Sequence, residues 1–94
     1  MAEAGITIIL PRVLKPMTGG RRQFVVAGTT IGDALRALGE EEPALKGHLF
    51  NDGGHLRGNV LCEHEGTYIR RRDIDCHAVA PGDTIRIGNS IAGG

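Results

Sequence analysis

The amino-acid sequence predicts an α+β domain in which one main helix packs across a mixed β-sheet. Apolar residues alternate with period two in Ile6-Thr7-Ile8-Ile9-Leu10, the signature of a strand with one buried face. They recur at Ile31, Ala34, Leu35 and Leu38, the i, i+3, i+4, i+7 stripe of an amphipathic helix. They alternate again in Thr84-Ile85-Arg86-Ile87, close to the last residue. Ninety-four residues, 40% of them hydrophobic, suffice for a single core that needs neither cofactor nor disulfide staples.

The first strand places Ile6, Ile8 and Leu10 on one face. Pro11 and Pro16 then argue against sheet interior, so the stretch to Thr18 is expected to be an irregular strand end and turn. Gly19-Gly20 turns the chain into a second strand, Arg22 to Gly28, with Phe24 and Val26 on one face. The two strands form an antiparallel hairpin.

Thr30 is placed to cap the helix, and Asp33 can complete a capping box and complement the helix dipole. Gly39 reads as the C-terminal stop, with Glu40, Glu41 and Glu42 as solvated charge beyond it. A short second helical turn follows around Pro43 to Leu49, then a loop through Asn51-Asp52-Gly53-Gly54. Two strands flank Gly66 as a hairpin, and Ala80-Pro81-Gly82-Asp83 is a turn leading into the final strand.

Charge and composition exclude several functions. Eleven basic side chains balance eleven acidic ones, so the field a nucleic-acid binder would carry is missing, and no nucleic-acid partner is expected. No apolar run spans a bilayer and acidic Glu3 stands where a signal peptide wants basic residues, so neither a membrane partner nor export is expected. With two cysteines the chain reads as cytoplasmic.

Few residues offer chemistry of their own. His48 and His55 belong to no catalytic motif, and the best constellation is Cys62 and His64 with Cys76 and His77. Cys62 and His64 share a strand face, but adjacent Cys76 and His77 point apart in extended chain. A zinc site and a Cys62–Cys76 disulfide are thus both disfavoured against buried thiols with surface histidines, and no metal site is expected. Arg70-Arg71-Arg72 and Arg21-Arg22 could face an anionic partner, although a solvated edge that deters strand pairing explains such a run more simply. Neither Thr18-Gly19-Gly20-Arg21-Arg22 nor Asn51-Asp52-Gly53-Gly54 has the spacing of a phosphate loop.

Ser90-Ile91-Ala92-Gly93-Gly94 follows the final strand. Two terminal glycines, without Cβ atoms, suit a main chain that must enter a narrow channel in another protein. With the hairpin, the single capped helix and the Gly82-Asp83 turn, this tail resembles the ubiquitin-like sulfur carriers of the β-grasp fold, the ThiS/MoaD family. The opening with two prolines and Thr18-Gly19-Gly20 looks closest to the actinobacterial carriers of cysteine biosynthesis. The Asn59 to Tyr68 stretch, with Cys62 and His64, is longer than the family's usual strand and turn, and Gly88-Asn89 replaces the usual apolar residue and proline before the tail.

The resemblance implies a β-grasp domain over residues 1–89 and a flexible tail over 90–94. It implies that the Gly94 carboxylate is adenylated by an E1-like adenylyltransferase using ATP. A sulfurtransferase or sulfide source then converts it to a thiocarboxylate, which a sulfur-accepting synthase consumes. Ser90, Ile91, Ala92 and Gly93 would be read by the partners' grooves; the carrier itself would be a protein cosubstrate with no catalytic residue and no bound cofactor. Two relatives of this scheme stay open: a molybdopterin synthase small subunit, and a ubiquitin-like modifier whose terminus ends as an isopeptide on lysine. A β-grasp interaction module with an incidental tail is the third reading.

Overall fold

A computed structural model describes residues 5–89, and the tail residues Ser90, Ile91, Ala92, Gly93 and Gly94 lie outside the described residues. Strand β1 (Ile6–Ile9) pairs antiparallel with β2 (Gln23–Val26), Ile6 opposite Val26 and Ile8 opposite Phe24. This is the expected hairpin. Between the two strands, however, Arg12–Thr18 forms a 3-10 helix instead of an irregular turn. Pro16 fits there because its fixed φ suits a 3-10 backbone, and the segment is held by burial of Leu14 and by the Thr18 hydroxyl, which lies within reach of the Lys15 and Arg21 carbonyls.

Helix α1 (Ile31–Glu41) starts where the sequence puts it, with the Thr30 side chain accepting from the Asp33 N–H at 3.1 Å. The capping box is displaced by one residue: Asp33 Oδ2 accepts from the Thr29 hydroxyl at 2.8 Å and from the Thr29 N–H at 3.4 Å. The expected stop at Gly39 is wrong. The helix runs on through Glu41, and the Glu42 N–H closes it on the Leu38 carbonyl at 2.8 Å. Gly39 is buried against Lys46 of α2 (Pro43–Leu49), so its missing side chain serves helix packing rather than termination. Glu40 and Glu41 therefore oppose the dipole of α1, while Glu42 sits favourably at the start of α2; exposed Lys46 and Arg21 face Glu40 and Glu42 at 3.6 and 3.9 Å.

Strands β3 (Val60–His64) and β4 (Thr67–Ile69) form a hairpin through Glu65 and Gly66, whose φ values of 49° and 90° mark a two-residue turn with both central residues left-handed. Strand β5 (Thr84–Asn89) follows the Ala80–Asp83 turn, where Gly82 has φ 96° and the Asp83 N–H donates to the Ala80 carbonyl at 3.0 Å. β5 then inserts between β1, which it meets parallel, and β3, which it meets antiparallel, giving the order β2-β1-β5-β3-β4. The sheet is mixed, as expected. Its inner face contributes Ile6, Ile8, Phe24, Val26, Val60, Cys62, Ile69, Ile85 and Ile87 to one core with Ile31, Ala34, Leu35 and Leu38 of α1 and Leu45 and Leu49 of α2. Among the described residues no helix is long and apolar enough to cross a membrane.

Candidate functional site

Topology decides where the last described residue of the final strand sits. β5 is the central strand, its last residue Asn89 lies opposite Val60, and the chain passes into Ser90 from there. A strand paired on both sides over Thr84 to Arg86 cannot slip in register without moving its whole inward set, so Ile85 and Ile87 fix where Asn89 stands. Half-buried Gly88 faces Leu61, and a Cβ there would meet the Leu61 Cβ at 3.9 Å, an ordinary contact. Gly88 is therefore not demanded by packing.

Beside this exit, on the outer face of the sheet, Leu61, Tyr68, Glu63, Arg86 and Gly88 line a shallow cavity of about 350 Å³. Tyr68 is 59% exposed and Leu61 36%, an apolar pair that the core does not use. Glu63 stands opposite both Tyr68 and Arg86 in the ladders, which puts the two charged side chains side by side.

The cysteines and histidines are not gathered as a zinc set. Cys62 is buried, and its burial pushes the thiol up to about 12, which disfavours the thiolate. Cys76 is exposed, with Sγ 3.5 Å from the Asp73 carbonyl, and both cysteines are free. The expectation of buried thiols thus holds for Cys62 and fails for Cys76: after the 3-10 turn at Arg71–Asp73 the core takes Ile74 and leaves Asp75 and Cys76 exposed. His48 and His55 are exposed.

His64 and His77 do meet, which their separation in sequence did not suggest. His64 Nδ1 lies 2.9 Å from His77 Nε2, the rings are edge-on, and His64 Nε2 lies 2.8 Å from Asp83 Oδ2. The backbone N–H of Ala80 donates to the same Asp83 oxygen at 2.9 Å, and these two bonds together hold the Asp83 carboxyl below the usual aspartate range. Asp83 was legible only as a turn residue; its proximity to His64 depends on the β3–β5 pairing, which places His64 opposite Ile85.

The three arginines Arg70, Arg71 and Arg72 are exposed just after β4, the edge strand, where they oppose pairing with another chain. None of them takes part in an ion pair among the described residues, whereas Arg36 is held 2.7 Å from Asp75. Arg21 covers the Phe24 ring at 4.3 Å.

The comparisons with known proteins fit this arrangement. No family model matches the chain. The sulfur carrier protein CysO of Mycobacterium tuberculosis is 24% identical over 95% of this chain and 98% of its own length. The chain is homologous to the CysO sulfur carriers along nearly the whole of their length. Their ubiquitin-like β-grasp fold is also its own: a chain of the Amycolatopsis orientalis BexX/CysO complex superposes with a TM-score of 0.81 at 22% identity, covering 95% of this chain and 99% of that one. The small archaeal modifier protein 1 of Haloferax volcanii gives a TM-score of 0.76 at 29% identity, covering 96% and 99%. The CysO likeness agrees with the sequence reading in family and in fold.

Proposed function

We propose that the chain is a sulfur carrier that works through the carboxylate of Gly94. The observation that carries the reading is the match to CysO along nearly the whole of both chains. In the proposed cycle an E1-like enzyme joins the Gly94 carboxylate to AMP, with pyrophosphate leaving ATP. Adenylation turns an unreactive carboxylate into an acyl electrophile. Hydrosulfide attacks the acyl carbon, AMP leaves, and the product is a thiocarboxylate that is anionic at neutral pH and nucleophilic through sulfur.

The fold supports a division of labour. β5 is paired with β1 over Thr84 to Arg86 and with β3 as far as Asn89, an anchor from which Ser90, Ile91, Ala92 and Gly93 would lead to the reacting atom. Five extended residues reach on the order of 17 Å. The outer-face patch of Leu61, Tyr68 and Arg86 beside the exit gives a partner something to grip while the tail enters its channel. On this account the chain holds no reacting side chain and is a cosubstrate.

The 29% identity to a small archaeal modifier protein favours a second reading, in which the activated Gly94 passes to a lysine. Incubation with an E1-like adenylyltransferase, ATP and sulfide separates the two. Exchange of one oxygen for sulfur, seen in the intact mass, supports the carrier. Lysine-linked conjugates without that exchange support the modifier, and neither product with an active E1 contradicts both.

A further inference from the structure

The far end of β5, where the strand begins, carries a cluster that the tail does not use. His64 closes β3, Glu65 occupies the β3–β4 turn and Asp83 precedes Thr84. One ligand atom from each of the three lies within 4.8 Å of the others. We propose that His64 Nε2 and the carboxylates of Glu65 and Asp83 bind one divalent cation of the zinc class.

The case rests on how each ligand is held. Metal-binding imidazoles and carboxylates work best when a second hydrogen bond fixes their orientation. All three have one: His64 Nδ1 meets His77 Nε2 at 2.9 Å, the Ala80 N–H donates to Asp83 Oδ2 at 2.9 Å, and the Thr84 N–H donates to Glu65 Oε2 at 2.8 Å. An ion about 2.0–2.2 Å from each donor needs those donors roughly 3 Å apart. His64 Nε2 and Asp83 Oδ2 already stand at 2.8 Å, and the exposed Glu65 carboxylate, within 4.8 Å of both, closes the remaining gap while its bond from the Thr84 N–H is kept. One imidazole and two carboxylates, with water completing the shell, suit a borderline cation better than a soft one that demands thiolates. Entry is open, the His64 and Asp83 side chains being 18% and 28% exposed.

Proton positions give the site a specific signature. With both imidazoles neutral and no cation bound, acceptor-only Asp83 takes the His64 Nε2–H, which leaves His64 Nδ1 to accept from His77 Nε2–H. A cation on Nε2 moves the His64 proton to Nδ1, which then donates to His77 Nε2, and the His77 proton moves to its own Nδ1. Two tautomers change and no proton is released.

The test is a zinc titration of the full chain followed by imidazole ¹⁵N spectra and thermal melting. The expected result is a switch of His64 and His77 from the Nε2–H to the Nδ1–H form, saturating at one equivalent, with a rising melting temperature. His64→Gln abolishes the response. Glu65→Gln, which can still accept from the Thr84 N–H, and His77→Gln each weaken binding about tenfold or more. Glu65→Gln leaves the zinc-free melting temperature unchanged, which separates ligand loss from misfolding. No saturable response up to about 1 mM zinc, binding that survives His64→Gln, or binding lost in Cys76→Ser but kept in Glu65→Gln overturns the proposal. The site lies about 20 Å from the exit at Asn89, one six-residue strand away, so chelation leaves sulfur loading intact and the two readings fail independently.

Discussion

At the scale of single residues, two side chains make opposite use of their surroundings. Asp33 is exposed, and the Thr29 hydroxyl, followed by the Thr29 N–H, stabilises its charged form and lowers its titration below the usual aspartate range. A carboxyl whose folded value is lowered contributes stability that is fully present above its unfolded value and is lost as pH falls through the folded one. Melting temperature is therefore expected to fall on acidification through that window, and Asp33→Asn to show a shallower fall there; equal slopes in the two proteins would contradict the assignment. Cys62 shows the reverse effect, because burial disfavours its thiolate. Iodoacetamide is expected to modify Cys76 alone in the folded chain and both cysteines in denaturant, as counted by intact mass. The cap at Thr30 could be read from sequence because it is local; the neighbours of His64 could not, because His77 and Asp83 arrive through pairings thirteen and nineteen residues apart.

At the scale of elements, glycine shows what sequence pattern conveys and what it leaves out. Gly39 after a helical stripe reads as a stop, yet only the position of α2 reveals that it lies inside the helix. A Cβ at Gly39 would meet Lys46 atoms at 3.5 Å, an ordinary contact, whereas one at Gly28 would meet the Ala34 backbone nitrogen at 2.8 Å. Gly39→Ala is accordingly expected to stabilise the fold by about 0.5–1 kcal/mol through lower unfolded-state entropy. Gly28→Ala should cost about 1–3 kcal/mol, since backbone at the start of α1 cannot step aside. Denaturant melts of the two variants check both signs. The strands were legible because their period-two faces are unambiguous, and the Gly82-Asp83 turn because only a left-handed residue fits it. The 3-10 helix at Arg12–Thr18 was not, as two prolines suit a turn and a short 3-10 segment equally.

At the scale of the molecule, the fold class followed from the order of elements, but the strand order did not. Nothing local in Thr84–Asn89 says that it will lie between the first and third strands; that is set by the apolar faces it can cover on both sides. Its central position fixes Asn89 against β3, and the proposed chemistry at Gly94 lies five residues beyond it in sequence. The most direct measurement is the intact and tandem mass of the chain, and of a version lacking Gly94, after incubation with an E1-like adenylyltransferase, ATP and sulfide. The account predicts one oxygen replaced by sulfur at Gly94 in the full chain, no exchange in the shortened one, and the same melting temperature for both. Sulfur loading that persists without Gly94, or that maps to Cys76, would contradict it.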